Sequence, residues 1–175
     1  MHQSSYLIMK RIVSSQLSVK DNLNILDVGS MDVNGTYRDI FTPVANWKYS
    51  GLDIAPGNNV DIVSKDNYHW PILDNTYDVV ISGQCMEHVP LFWGWIKEVA
   101  RVTKLGGLIV IIAPWLAGQH RYPVDCWRIL PDGMEFLLGT VASLNVLYVG
   151  NNQSIGIPSH ANYEDCFGVA RKPNI

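Results

Sequence analysis

Four short segments hold the side chains on which chemistry could turn. The first is D-V-G-S-M-D-V-N-G, residues 27–35. Gly29 has no Cβ, so the backbone there can come close to a ligand. The second is Asp53 in G-L-D-I, where a carboxylate at a strand end can accept both hydroxyl protons of a ribose. The third is Asp66-Asn67, which with Tyr68 could border an adenine ring. The fourth is H-R-Y-P-V-D-C-W-R, residues 120–128. Here His120 could act as a general base, with Asp125 orienting it or binding an acceptor. Arg121 and Arg128 could hold an anionic or hydroxyl-rich acceptor, and Tyr122 and Trp127 could stack on a sugar or other ring. Plainer readings stand beside these. Asp125 and Arg128 could be a clamp inside their loop, Trp127 could be packing, and Gly29 and Asp53 could be turn residues.

The elements that would position these segments are short β-rich runs at residues 24–28, 49–54, 60–63, 77–82 and 108–113. The fourth and fifth are unbroken Val/Ile runs, as expected of parallel strands buried on both faces. Residues 90–102 carry Phe92, Ile96, Val99 and Ala100 on one stripe, with Pro90 at the start and Gly106 past the end, which predicts a helix. Residues 131–138 open with Pro131 and Asp132, favourable at a helix N-terminus. Runs at 145–149 and 165–170 lack room between them for a crossover helix and are expected to form an antiparallel hairpin. The pattern predicts an α/β fold, a doubly wound, Rossmann-like sheet that binds ligands at the carboxyl ends of its strands.

One domain is expected, divided into an N-terminal helix within residues 1–20, a cofactor-binding core at 22–113 and an acceptor-side loop, helix and hairpin at 114–175. The first helix is expected to cover a sheet edge. The short stretch 55–75 suggests thin cover over one face, leaving Trp47, Tyr68 or Trp70 exposed and a homodimer to bury them.

Composition narrows the classes. At 175 residues with 47% apolar and 17% charged residues, the chain can form a core and is not intrinsically disordered. Thirteen basic against sixteen acidic residues give a net charge of −3, and no stretch concentrates Lys and Arg, so no nucleic-acid partner is expected. The most apolar window, 105–118, is broken by Gly and Pro and is shorter than the roughly 20 residues a membrane span needs. Lys10 and Arg11 follow the first apolar residues, the reverse of a signal peptide. Cys85, Cys126 and Cys166 form no C-x-x-C pair and are expected to be reduced, in the cytoplasm. His2, His69 and His160 show no metal-ligand spacing, so no metal site is expected.

I-L-D-V-G-S, G-L-D-I, Y-D-V-V-I-S-G-Q-C-M-E-H-V and L-G-G-L-I-V-I-I-A-P resemble class I S-adenosylmethionine-dependent methyltransferases, over about residues 22–140. The type 11 group of small single-domain enzymes is the most similar. The resemblance implies a seven-stranded, mostly parallel sheet ending in the antiparallel hairpin, with S-adenosylmethionine as cofactor and S-adenosylhomocysteine as product. It implies that Asp27, Gly29 and Ser30 approach the methionine portion, that Asp53 holds the ribose and that Ile54 lies against the adenine. Asp66 would meet the adenine amino group, Ser82 would face the methionine end, and Glu87-His88 would lie beside the cofactor. The chain departs from the family's D-x-G-x-G-x-G motif, with Met31 and Val33 at the second and third glycine positions. A side chain at Met31 is expected to narrow the approach to the cofactor.

Methyl transfer from a sulfonium asks the protein mainly for in-line positioning. Segments of the H-R-Y-P-x-D-x-W-R type accompany glycan synthesis among the similar proteins, so the resemblance implies a small acceptor, most narrowly a sugar hydroxyl. Two other classes compete. A nicotinamide-dependent oxidoreductase would also use Gly29 and Asp53, but G-S-M-D-V-N lacks the second glycine that a pyrophosphate needs. A non-catalytic binding or scaffold protein is favoured by Met31 and Val33 and disfavoured by Asp53, Asp66 and Glu87-His88.

Overall fold

Strand β1 (Leu23–Val28) sends Ile25 to one face of the sheet and Leu26 and Val28 to the other, following the two-residue period of a strand. The computed structural model describes residues 2–158 and 162–174 and places β1 near the middle of a seven-stranded sheet. Strands β2 (Trp47–Asp53), β3 (Ile62–Val63), β4 (Tyr77–Gly83) and β5 (Thr103–Ala117) join it in parallel. Strands β6 (Asn145–Asn151) and β7 (Tyr163–Arg171) are antiparallel, and the order is β3-β2-β1-β4-β5-β7-β6. Val79, Ile81, Val110 and Ile112 lie with Ile25 on one face; Val80, Ile109 and Ile111 lie with Leu26 on the other. Burial on both faces is why β4 and β5 read as unbroken apolar runs. The doubly wound, mostly parallel sheet with a closing antiparallel hairpin is the expected architecture. Strand β5 outruns the expected 108–113 because β7 pairs with it from Leu108 to Ala117.

Helix α1 (Gln3–Gln16) does not cover an edge. It buries Ile8, Met9, Ile12 and Val13 over β5 and β7, on the face that holds Ile25. Four apolar side chains on one stripe need an apolar surface, and interior strands supply it where edge strands do not. The short helix α2 (Arg38–Phe41) adds Phe41 to the same layer. On the other face lie α3 (Phe92–Val102), α4 (Pro131–Phe136) and a π-helical turn, Leu137–Val141. Among the described residues no helix is long and apolar enough to cross a membrane.

The expected thin cover over residues 55–75 is not found. Trp47 packs on Phe41, their ring centroids 6.0 Å apart, and Trp70 is buried in the layer below α3. Tyr68 is half-buried against the same layer. With both tryptophans covered, the apolar patch that suggested a homodimer is absent from this region. The cover is held by Glu98, a buried carboxylate on α3. It accepts the Trp70 N–H at 2.7 Å and two bonds from Arg101 at 2.6 and 2.7 Å, and Arg101 also reaches Asp74 at 2.5 Å. Replacing Glu98 by Ala leaves the Trp70 N–H unpaired and Arg101 without its main partner. We expect a loss of about 2 kcal/mol in urea unfolding; an unchanged midpoint would show that Glu98 does not hold this segment.

Candidate active site

The order of the sheet reverses at β1, between β2 and β4, and a cavity of about 620 Å³ opens there at the carboxyl ends of these strands. That is where a parallel sheet leaves a crevice between diverging loops.

The loop after β1 forms one wall. Gly29 has φ +78°, and a Cβ on it would collide with Cys85, so a side chain is excluded twice over. The N–H groups of Gly29 and Ser30 donate to the Leu52 carbonyl at 2.9 and 3.1 Å, and the Ser30 hydroxyl donates to the Asn59 carbonyl at 2.9 Å. Met31 donates its N–H to Asp53 Oδ2 at 2.9 Å, while Asp53 Oδ1 accepts the Ile54 N–H at 2.7 Å. The Asp53 carboxylate is thereby fixed in direction with acceptor capacity left on both oxygens. Met31 does line the cavity, but its side chain packs on Gly57, where an added Cβ would lie 3.2 Å from the thioether chain. Gly57, lacking a Cβ, thus gives the Met31 side chain room to pack against it.

Behind this loop sits Asp27, buried at the end of β1. Burial pushes its carboxyl up to about 7, against the opposing effect of the Tyr49 hydroxyl, which donates to it at 2.5 Å. The far wall contains two residues that sequence patterns did not mark. Tyr37 bonds to the Ser5 hydroxyl of α1 at 2.5 Å and lies so close to Gly83 that a Cβ there would overlap its ring. Gln84, at φ +59°, donates to Asp165 at 2.7 Å, and Asp165 also accepts from Ser4 of α1 at 2.7 Å. Tyr37 carries no periodicity or motif signal and Gln84 no assigned role within its motif; the long-range contacts to α1 and β7 define them.

At the other end of the cavity stand His88 and His120, with Glu87 buried beside them. His88 Nδ1 lies 2.6 Å from the Val124 carbonyl, and His120 Nδ1 lies 3.0 Å from the Gly118 carbonyl. Carbonyls only accept, so Nδ1 carries the proton in both rings. The rings meet edge to face with centroids 5.0 Å apart. Glu87 is 1% exposed, burial pushes its carboxyl up to about 8, and neither oxygen accepts a hydrogen bond from another residue. Burial also lowers His88 from the usual imidazole value.

Asp27, Gly29, Ser30, Met31, Asp53, Ile54, Asn67, His88, His120, Arg121 and Tyr122 line this one cavity. Asp66, Ser82, Asp125, Trp127 and Arg128 do not, because their polar groups are engaged elsewhere. Asp66 caps the Tyr68 N–H at 2.7 Å, and the Ser82 hydroxyl donates to the Val28 carbonyl at 2.7 Å. Arg128 forms a two-armed pair with Asp125 at 2.6 and 2.9 Å and reaches the Gly118 carbonyl at 3.0 Å. Asp125 accepts the His120 backbone N–H at 2.8 Å, whereas its carboxylate is 3.8 Å from His120 Nδ1. Asp125 therefore fixes the loop more than the ring, and Arg128 is part of the same clamp. Its partner holds the Asp125 carboxyl well below the usual range. Trp127 donates to the Val89 carbonyl at 3.1 Å and packs on Phe92 and Trp93. His69 pairs with Asp66 on the surface and His160 lies outside the described residues, but Glu87, His88 and His120 bring potential ligand atoms within 4.8 Å of one another.

Comparison with known proteins decides the family. Residues 26–111 match the family described as "Methyltransferase domain". The chain carries a class I methyltransferase domain. It is 32% identical over 131 residues to 2-methyl-6-phytyl-1,4-hydroquinone methyltransferase 1 of Oryza sativa subsp. japonica, covering 66% of this chain and 38% of that protein. It is 27% identical over 117 residues to demethylmenaquinone methyltransferase of Staphylococcus haemolyticus, covering 60% and 49%. The chain thus spans less than half the length of these two relatives. Among solved structures, phosphoethanolamine N-methyltransferase 2 of Haemonchus contortus, in complex with S-adenosyl-L-methionine, superposes with a TM-score of 0.70. The identity is 14%, over 97% of this chain and 52% of that one. The [4+2]-cyclase SpnF also shares the fold, with a TM-score of 0.70 at 16% identity over 95% and 80% of the two chains. The family-matched segment runs from β1 into β5 and includes the ends of β1, β2 and β4 that form the cavity.

The buried Asp27 makes a pH prediction. A folded-state pKa of about 7 lies above the unfolded carboxylate value of about 3.9, so its stabilising contribution is complete below about pH 4 and is lost as pH rises to about 7. The ligand-free protein should melt at falling temperature across that window, and Asp27→Asn should flatten the fall; superimposable profiles for the two proteins would contradict it.

Proposed function

We propose that this chain transfers the methyl group of S-adenosylmethionine to a small acceptor with a nucleophilic oxygen, most narrowly a sugar hydroxyl. The observation that carries the reading is the continuity of one cavity from the fixed carboxylate of Asp53, past the Gly29 loop, to the imidazoles of His88 and His120. The residues fit the cofactor: Gly29 keeps the loop backbone bare, and Asp53 keeps acceptor capacity for two ribose hydroxyls. When bound, the cofactor supplies an electrophilic methyl on a sulfonium with a neutral leaving group.

In this reading Ile54 and Asn67 flank the adenine, and Asp27, Gly29 and Ser30 face the methionine portion. Asp66 supports Asn67 by capping its turn, and Ser82 ties the ends of β1 and β4 together. Arg121 and Tyr122 meet the acceptor at the cavity mouth. His120 serves the same acceptor through Nε2, because Nδ1 is committed to Gly118. Asp125 and Arg128 hold the loop that presents His120, and Trp127 packs beneath it. Relatives named for methylating hydroquinone, menaquinone precursor and sterol support a small acceptor more directly than they support a sugar. The scarcity of basic clusters supports a reading without a nucleic-acid partner, and the free thiols Cys85, Cys126 and Cys166 support a reducing, cytoplasmic setting.

Thermal unfolding with S-adenosylhomocysteine tests the reading. At 100 times its dissociation constant the ligand should add about 2.7 kcal/mol of stability. The shift should vanish in Asp53→Ala, and NAD should produce none. His120→Ala should keep the shift while turnover falls about tenfold or more. A shift with NAD alone, or with neither compound, would overturn the proposal.

A further inference from the structure

Three side chains converge at the acceptor end, where one ligand atom each from Glu87, His88 and His120 lies within 4.8 Å of the others. With Nδ1–H of His88 donated to Val124 and Nδ1–H of His120 donated to Gly118, each ring is left with a lone pair on Nε2. Both Nε2 atoms face the same oxygen: Glu87 Oε1 lies 3.7 Å from His88 Nε2 and 3.9 Å from His120 Nε2. Those separations exceed the reach of a hydrogen bond, about 3.2 Å, so no proton is shared between these atoms. Glu87 is 1% exposed and neither of its oxygens is bonded by another residue. A buried carboxylate without partners is costly; uptake of a proton, which burial favours here, or a cation shared with the two nitrogen lone pairs offsets that cost.

We propose that Glu87, His88 and His120 form a binding site for one divalent transition-metal ion, with zinc the best-matched class. Two imidazole nitrogens and one carboxylate oxygen are the donor set of open zinc sites, in which substrate or water completes the coordination. Ligand atoms about 2.0–2.2 Å from one tetrahedral ion stand about 3.3–3.6 Å apart. The two Glu87 sides of the triangle, 3.7 and 3.9 Å, need shifts of a few tenths of an ångström, and all three atoms already lie within 4.8 Å of one another. The backbone carbonyls on both Nδ1–H groups are the outer contacts that fix a ligating histidine's tautomer and ring direction. Exposure rises from 1% at Glu87 through 12% at His88 to 30% at His120, so the remaining coordination position faces the cavity. The site deepens the methyl-transfer reading and rests on it for its role, since the ion would there take an acceptor oxygen as a ligand. The two imidazoles then act as ligands instead of bases. The Asp125–Arg128 pair contributes by holding Gly118 and the His120 backbone in place. The sequence hid this set because 32 residues separate His88 from His120.

The test is titration of chelator-treated full-length protein with Co²⁺, read by its visible d–d absorption, followed by displacement with Zn²⁺. One equivalent should bind, and both Glu87→Gln and His120→Ala should weaken binding about tenfold or more. The S-adenosylhomocysteine thermal shift is measured on all three proteins to show that they are folded. Absence of saturable cobalt binding, or equal affinity in wild type and variants, overturns the metal site even where the thermal shift is intact. Cobalt binding by the wild type with the stated losses, but no thermal shift in any of the proteins, upholds the ion and overturns the methyl-transfer reading; circular dichroism then reports the folding of the variants.

Discussion

Burial of the parallel sheet on both faces is the constraint from which the site follows. Between Ile25, Val79 and Ile81 on one side and Leu26, Val80 and Ile109 on the other there is no place for a polar side chain. The charged and hydroxyl groups of the central strands therefore stand at the strand ends: Asp78 and Lys104 pair at the amino ends, and Asp27, Asp53 and Ser82 stand at the carboxyl ends. The reversal of strand order at β1 lets the loops from neighbouring strands part and leave a cavity. Asp27 shows the cost of that placement, since burial raises its pKa even with the Tyr49 hydroxyl bonded to it. The Gly29 and Ser30 N–H groups on the Leu52 carbonyl then lock the first loop to the second strand, so Asp53 is presented by two strands acting together.

The acceptor end depends on a different device. Residues 118–130 contain no helix or strand, and their shape comes from side chains bonding to backbone. Arg128 reaches the Gly118 and Trp127 carbonyls while paired with Asp125, and Asp125 holds the His120 N–H. Trp127 stitches the same segment to the start of α3. A loop fixed at that many points can hold His120 opposite His88 without a regular element beneath it. This explains why charged residues that look like acceptor ligands in the sequence are spent on architecture.

The fold was legible because its signals are local. Unbroken Val/Ile runs specify β4 and β5, and the shortness of the connection between β6 and β7 specifies a hairpin. Gly29 and Asp53 were legible for the same reason, each standing at the end of a strand that its own neighbours define. Tyr37 and Gln84 were not, because their places are set by Ser5 and Asp165, which are far away in the chain. Helix α1 was assigned to an edge for want of any sequence signal that says which strands receive its apolar stripe. The burial of Trp70 is not legible in the sequence, because the residue that fixes its backbone, Glu98, is a charged helix residue whose buried bond to the Trp70 N–H has no sequence pattern. The Glu87, His88 and His120 cluster was missed by spacing arguments, which detect ligands on one element and not ligands joined by folding.

The central claim is that the cavity at the ends of β1, β2 and β4 holds S-adenosylmethionine. A crystal structure of the protein soaked with S-adenosylhomocysteine tests it most directly. The account predicts ribose hydroxyls on the Asp53 carboxylate, the adenine between Ile54 and Asn67, and the sulfur directed toward His88 and His120. Clear density for the ligand at any other surface, with Asp53 untouched, would contradict it.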